Sequence, residues 1–133
     1  MRKCLEIKAG GQKYALRLTA SAQMSLRERF EEETMETVLS VTSDLERLCA
    51  LLEAALTWKG NENPIHDGEE FYDLLVDENY SGMSDFGKLA IDIAVSSGIL
   101  TKEQAEKAGA YLNNAIEGAF ETFDTQEENP TTP

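Results

Sequence analysis

This 133-residue chain has little of what most site chemistry is made from. It holds two cysteines, Cys4 and Cys49, and a single histidine, His66. Neither cysteine has a His, Cys or acid at zinc-ligand spacing, so no metal centre and no disulfide framework are expected. Two scattered cysteines in a cytosolic chain read instead as small, partly buried hydrophobes. No long apolar run occurs, so no membrane span is expected. The basic start Met1-Arg2-Lys3 leads into no apolar segment, and no secretory signal is expected either. A phosphate loop needs glycines running into a helix, whereas Gly10-Gly11 runs into a strand-like segment. His66 has no serine or cysteine nucleophile placed beside it by any motif. Asp92 with Glu103 or Glu106 could form a carboxylate pair only by accident of folding. Neither an enzyme nor a cofactor is expected.

Bases are scarce as well: 12 Lys and Arg stand against 25 Asp and Glu, a formal net charge of −13. Such a surface repels nucleic-acid phosphates, so DNA and RNA are not expected partners. The charge is unevenly spread. Residues 1–29 carry seven bases (Arg2, Lys3, Lys8, Lys13, Arg17, Arg27, Arg29) against Glu6 and Glu28, a net of +5. The rest of the chain carries five bases and 23 acids, a net of −18. A basic hairpin on one copy could therefore approach an acidic face on another.

What is present is a change of pattern near residue 19. Leu5, Ile7 and Ala9 alternate with Cys4, Glu6 and Lys8; Tyr14, Leu16 and Leu18 alternate with Lys13, Ala15 and Arg17. Side chains on a strand point to opposite faces in turn, so each strand has one apolar face. A two-residue Gly10-Gly11 loop pairs Ala9 with Gln12, Ile7 with Tyr14 and Leu5 with Leu16, which puts both apolar sets on one face. Two strands alone are marginal in water, so the hairpin must pack on helices or gain strands from a second subunit.

Helices follow. Thr19 is a suitable N-cap for a helix to about Phe30, with Ala22, Leu26 and Phe30 inward. Glu31-Glu32-Glu33 reads as a solvated helix end, and Met35, Val38 and Leu39 as a short helical turn after Thr34. Ser43-Asp44-Leu45-Glu46 matches a capping box with Ser43 as N-cap. Leu45, Leu48, Cys49, Leu52, Ala55 and Leu56 then mark one face of a central helix that Gly60 ends. Asp67 caps a helix over about Gly68–Glu78, with Phe71, Leu74 and Leu75 inward. Ser84 caps the next, with Phe86, Leu89, Ala90, Ile93 and Ala94 inward, ending at Gly98. Thr101-Lys102-Glu103-Gln104 is a second capping box; its helix carries Ala105, Ala108, Leu112, Ala115, Ile116, Ala119, Phe120 and Phe123. Residues 124–133 are polar, contain Pro130 and Pro133, and are expected to be disordered. The expected architecture is therefore α+β and predominantly helical. An N-terminal hairpin packs on a bundle of about five helices in a single domain, residues 1–123.

Asp77-Glu78-Asn79-Tyr80-Ser81-Gly82 begins like a calcium-binding EF-hand loop, with oxygen ligands at positions 1, 3 and 5 and glycine at 6. The position that needs a bidentate Glu is Lys88, and the match fails there. Trp58, Tyr72, Tyr80 and Tyr111 read as isolated aromatics; Tyr72 and Tyr80, beside acids, suit a protein–protein contact.

The stretch from Arg2 to Thr19, with Gly11-Gln12-Lys13-Tyr14-Ala15-Leu16-Arg17 at its centre, resembles the start of tail assembly chaperones of long-tailed bacteriophages and prophages. The Leu/Ala-rich segment Leu48–Trp58 and the acidic-aromatic segment Glu70-Phe71-Tyr72-Asp73-Leu74-Leu75 resemble the elements that follow there. The likeness covers roughly residues 2–120. It implies a protein of the bacterial host cytoplasm that binds the helical tape-measure protein and helps recruit the tail tube protein. It further implies homo-oligomers, a longer product made by ribosomal frameshifting, and absence from the mature virion. No catalytic or partner-binding residue carries over. From the residues themselves, Ile7, Tyr14 and Leu16 are the expected self-association edge and Tyr72 and Tyr80 the expected client contacts. A small structural tail component and an acidic decoy that mimics DNA are the competing readings.

Overall fold

The computed structural model describes residues 3–110. Strands β1 (Leu5–Ala9) and β2 (Gln12–Leu16) form an antiparallel hairpin. Helices α1 (Ala20–Phe30), α2 (Thr34–Ser40), α3 (Leu45–Leu56), α4 (Gly68–Asp77) and α5 (Gly82–Ser96) follow, and a sixth helical run covers 102–110. The fold is α+β and predominantly helical, as expected.

The hairpin register is the one the alternation predicts: Leu5 faces Leu16, Ile7 faces Tyr14 and Ala9 faces Gln12. Gly10 and Gly11 turn the chain at φ 57° and 78°, the left-handed geometry that a tight two-residue hairpin needs. The Gly10 N–H donates to the Glu78 carboxylate, which ties the turn to the end of α4. Tyr14 and Leu16 are buried in the protein's own core, and the Tyr14 ring meets Phe71 at 4.8 Å. This corrects the expected self-association edge. Tyr14 and Leu16 are spent on the helices beneath, and of the three residues only Ile7 stays half-buried at the margin.

Central position falls to α3, which packs against α1, α2, α4, α5 and β2. With neighbours on most sides its buried set is wider than one stripe: Leu48, Ala50, Leu51, Leu52, Ala55 and Leu56 are inside. Leu45, expected in the core, is 57% exposed. The helix ends at Leu56, short of Gly60, because the next residues are drawn towards β2: the Trp58 indole N–H donates to the Ala15 carbonyl at 3.0 Å.

Caps explain the other boundaries. Thr19 accepts from the Ala22 N–H, and Asp67 accepts from the Glu69 N–H. Thr101 and Gln104 exchange side chain-to-backbone bonds at 3.0 and 3.1 Å, the reciprocal capping box. The cap of α3 is Asp44 and not Ser43, since the Asp44 carboxylate reaches the Arg47 N–H. Helix α5 begins at Gly82, before Ser84. Asn79 takes the left-handed conformation (φ 72°), the Tyr80 N–H returns to Leu75 O, and Ser81 becomes the N-cap. The EF-hand-like segment is thus a tight junction between two helices.

Glu32 is not part of a solvated run. It accepts from the Arg47 guanidinium at 2.6 Å and from the Thr37 hydroxyl at 3.1 Å. Arg47 also bonds Asp44 and lies 4.7 Å over the Phe30 ring, joining α1, α2 and α3. The backbone N–H of Arg47, then its guanidinium, holds the Asp44 pKa below the usual carboxylate range. The folded state therefore binds this proton more weakly than the unfolded chain does. The resulting stability is complete above the unfolded value of about 3.9 and is lost as pH falls through the lower folded value. Asp44→Asn is expected to flatten that part of the acid limb in urea midpoints followed from about pH 5 to pH 2; an unchanged slope would contradict it.

Candidate binding groove

Two helical stripes and a glycine make a groove between α3 and α4. Leu45, Cys49 and Glu53 recur every four residues on α3, and Glu69, Tyr72 and Asp73 share a face of α4. These residues, with Ala50, Gly68, Asp67, Glu46 and Arg29, line an open hollow of about 600 Å³. Gly68 sits at the base, where a Cβ would overlap the Cys49 carbonyl oxygen and come within 3.1 Å of the Glu53 Cβ. The missing side chain lets the start of α4 rest on the α3 backbone.

The floor is apolar and the rim acidic. Five carboxylates (Glu46, Glu53, Asp67, Glu69 and Asp73) line it against one base, Arg29, which pairs with Glu46 at 3.3 Å. The field is felt inside the groove. Burial first, then Glu69, Asp73, Asp67 and Glu53, push the Cys49 thiol above its ordinary pKa. Cys49 is thus a neutral thiol at pH 7, the opposite of an activated nucleophile.

A second hollow of about 320 Å³, lined by Val41, Leu48, Met83 and Phe86 among others, shares Leu45 and Tyr72 with the first. The exposed Leu45 and the half-buried Tyr72 thus border both hollows. Tyr72 is not isolated: its ring stacks on Phe86 at 5.1 Å, and Tyr80 tilts against the same ring at 5.8 Å. Phe86 fixes both tyrosines, but they open onto different hollows. Tyr80 lines a third one, also about 320 Å³, beside β1 with Leu5, Ile7, Leu89 and Asp92. Burial raises the pKa of both Tyr80 and Asp92 there, with Asp85 and Asp92 adding to the effect on Tyr80 and Lys88 opposing that on Asp92.

The sequence pattern missed Leu45 as a surface residue, because it keeps the spacing of the core stripe. Tyr111 lies outside the described residues. Among the described residues, no three His, Cys, Asp or Glu side chains come together as a metal-binding set, and no helix is long and apolar enough to cross a membrane. His66 lies in the loop before α4, its ring 3.2 Å from the Asn61 side-chain oxygen. Compared with known proteins, the chain matches no family model, no curated protein and no solved structure.

Proposed function

We propose that this protein binds a helical segment of another polypeptide, and that within this class it is a tail assembly chaperone of a long-tailed phage or prophage. Its client is then a tape-measure protein, kept soluble until tail tube protein is recruited around it. The observation that carries the reading is the double hollow across α3 and α4, apolar at Leu45, Ala50 and Tyr72 and acidic at the rim. An amphipathic helix fits a groove of this kind by its apolar face, and its flanking bases meet the carboxylates. The remaining acidic surface keeps the complex dispersed. The tail-assembly assignment itself is supported by the resemblance in element order.

The test is co-expression with a tape-measure protein of a long-tailed phage, taken from the same genome as this chain. The wild-type chain is expected to hold that protein in the soluble fraction and to co-purify with it. Leu45→Glu, at a side chain already 57% exposed, is expected to weaken capture by about tenfold or more while leaving the melting temperature unchanged. An insoluble client in the presence of the wild-type chain would overturn the chaperone reading. Undiminished capture by Leu45→Glu would overturn the groove.

A further inference from the structure

We infer that two copies of this chain pair edge to edge through β1, in the register that sets Glu6 of each copy against Lys8 of the other. The starting point is the asymmetry of the hairpin's two edges. On β2, Ala15 turns both backbone groups away from β1: its N–H donates to the Asn63 side-chain oxygen at 2.7 Å, and its carbonyl accepts from Asn63 at 2.8 Å and Trp58 at 3.0 Å. The next outward N–H, that of Arg17, donates to Ala55 O at 3.0 Å. That edge is closed at Ala15 and at the Arg17 N–H, and only Lys13, next to the turn, keeps its outward groups without a partner among the described residues.

The other edge is open. Ala15 faces Glu6 across the hairpin, so Glu6 also turns its N–H and carbonyl outward, and by alternation so do Cys4 and Lys8. These groups have no partner among the described residues. An open row of this kind is a template for another strand.

Charge selects the strand and its register. Across the hairpin Lys8 faces Lys13, a like-charge pair that a carboxylate on the open side relieves. In a two-fold antiparallel pairing centred on Ile7, each Glu6 lies opposite the second copy's Lys8, twice over. Centring on Glu6 instead opposes two carboxylates and is disfavoured. The Ile7-centred register also sets Ile7 against its own copy on the inner face. There a hollow of about 320 Å³ lies beside β1, with Leu5, Ile7, Tyr80 and Leu89 in its wall together with the charged Asp85, Lys88 and Asp92, and it leaves space next to Ile7. The product is a four-stranded sheet whose remaining edges are the β2 edges, each held at Ala15 by Asn63 and at Arg17 by Ala55.

This inference does not rest on the client groove, and Leu45→Glu is expected to leave the dimer intact. Sedimentation of the full chain over a concentration series tests it. The wild type is expected to be a dimer. Glu6→Lys and Lys8→Glu each create two like-charge pairs and are expected to weaken it by about tenfold. The double variant Glu6→Lys/Lys8→Glu restores opposite pairs and is expected to dimerise as the wild type does. Both side chains are exposed, so circular dichroism should remain unchanged throughout. A monomeric wild type overturns the proposal and leaves the edge to a strand of another protein. A dimer indifferent to either reversal, or a double variant that stays monomeric, also overturns it.

Discussion

Gly68→Ala is expected to cost about 3 kcal/mol or more, although it adds one methyl group in a residue type that helices favour. The reason is position. The Gly68 backbone is not in the left-handed region, so alanine brings no conformational strain of its own. The new Cβ would instead overlap the Cys49 carbonyl oxygen and lie 2.9 Å from the carbonyl carbon. Both are backbone atoms of a helix packed against four elements besides α4, and neither can rotate aside as a flexible side chain would. The start of α4 must lift, and the fully buried Phe71 and Leu75 lift with it. Gly109 provides the control. It lies in the helical run 102–110, and a Cβ added there would meet nothing within 4 Å among the described residues, so Gly109→Ala is expected to gain about 0.5–1 kcal/mol. Urea denaturation of the two variants separates the effects. A Gly68→Ala protein as stable as the wild type would mean that α4 does not rest on α3 as described. The groove would then lose its base.

Local chemistry is what a single sequence displays, and the local features of this fold were legible. The Gly10-Gly11 turn with period-two alternation specified the hairpin register, because a slip of one residue would turn every apolar side chain outward. Thr19, Asp67 and the Thr101–Gln104 box marked helix starts, because capping involves residues within one turn. Two starts were displaced for equally local reasons. Asp44 outcompetes Ser43 because its carboxylate gains both the Arg47 N–H and the guanidinium. The left-handed Asn79 ends α4 so early that Ser81, not Ser84, precedes α5.

The candidate site was only partly legible. Tyr72 could be named from its acidic neighbours, but Leu45 carries the spacing of a core residue. Its exposure depends on where α4 lies, and that depends on a glycine 23 positions later in the chain. Tyr14 and Leu16 failed as edge residues for a related reason. Alternation shows which face of a hairpin is apolar; whether helices of the same chain cover that face is a tertiary matter. The open surface of the hairpin is backbone, which side-chain patterning does not report.

Asn63→Leu is expected to be the most damaging change outside the helices and strands, at about 3–5 kcal/mol, or a fall of roughly 10–20 °C in melting temperature. Nothing in the polar loop Asn61-Glu62-Asn63-Pro64 announces this. Asn63 is 6% exposed, and its side chain makes three bonds: it accepts from Ala15 N–H and donates to Ala15 O and to Leu56 O at 2.9 Å. Leu56 is the last residue of α3, where carbonyls have no partner within the helix. One amide thus completes both a strand edge and a helix end. Leucine has about the same volume and none of these groups. The Ala15 N–H and the Leu56 carbonyl would be left buried and unpaired, while the Ala15 carbonyl keeps Trp58. Asn63→Asp separates hydrogen bonding from shape. Its carboxylate can still accept from Ala15 but faces two carbonyl oxygens, so the folded state should raise its pKa. The penalty should then be largest at neutral pH and shrink as pH falls through that raised value, when the protonated acid can donate again. Thermal melts of both variants from about pH 7 to pH 4 read the difference. A loss below about 1 kcal/mol for Asn63→Leu would mean that water can replace the amide. The β2 edge would then be open to solvent, and β1 would no longer be distinguished as the side on which a second chain can add.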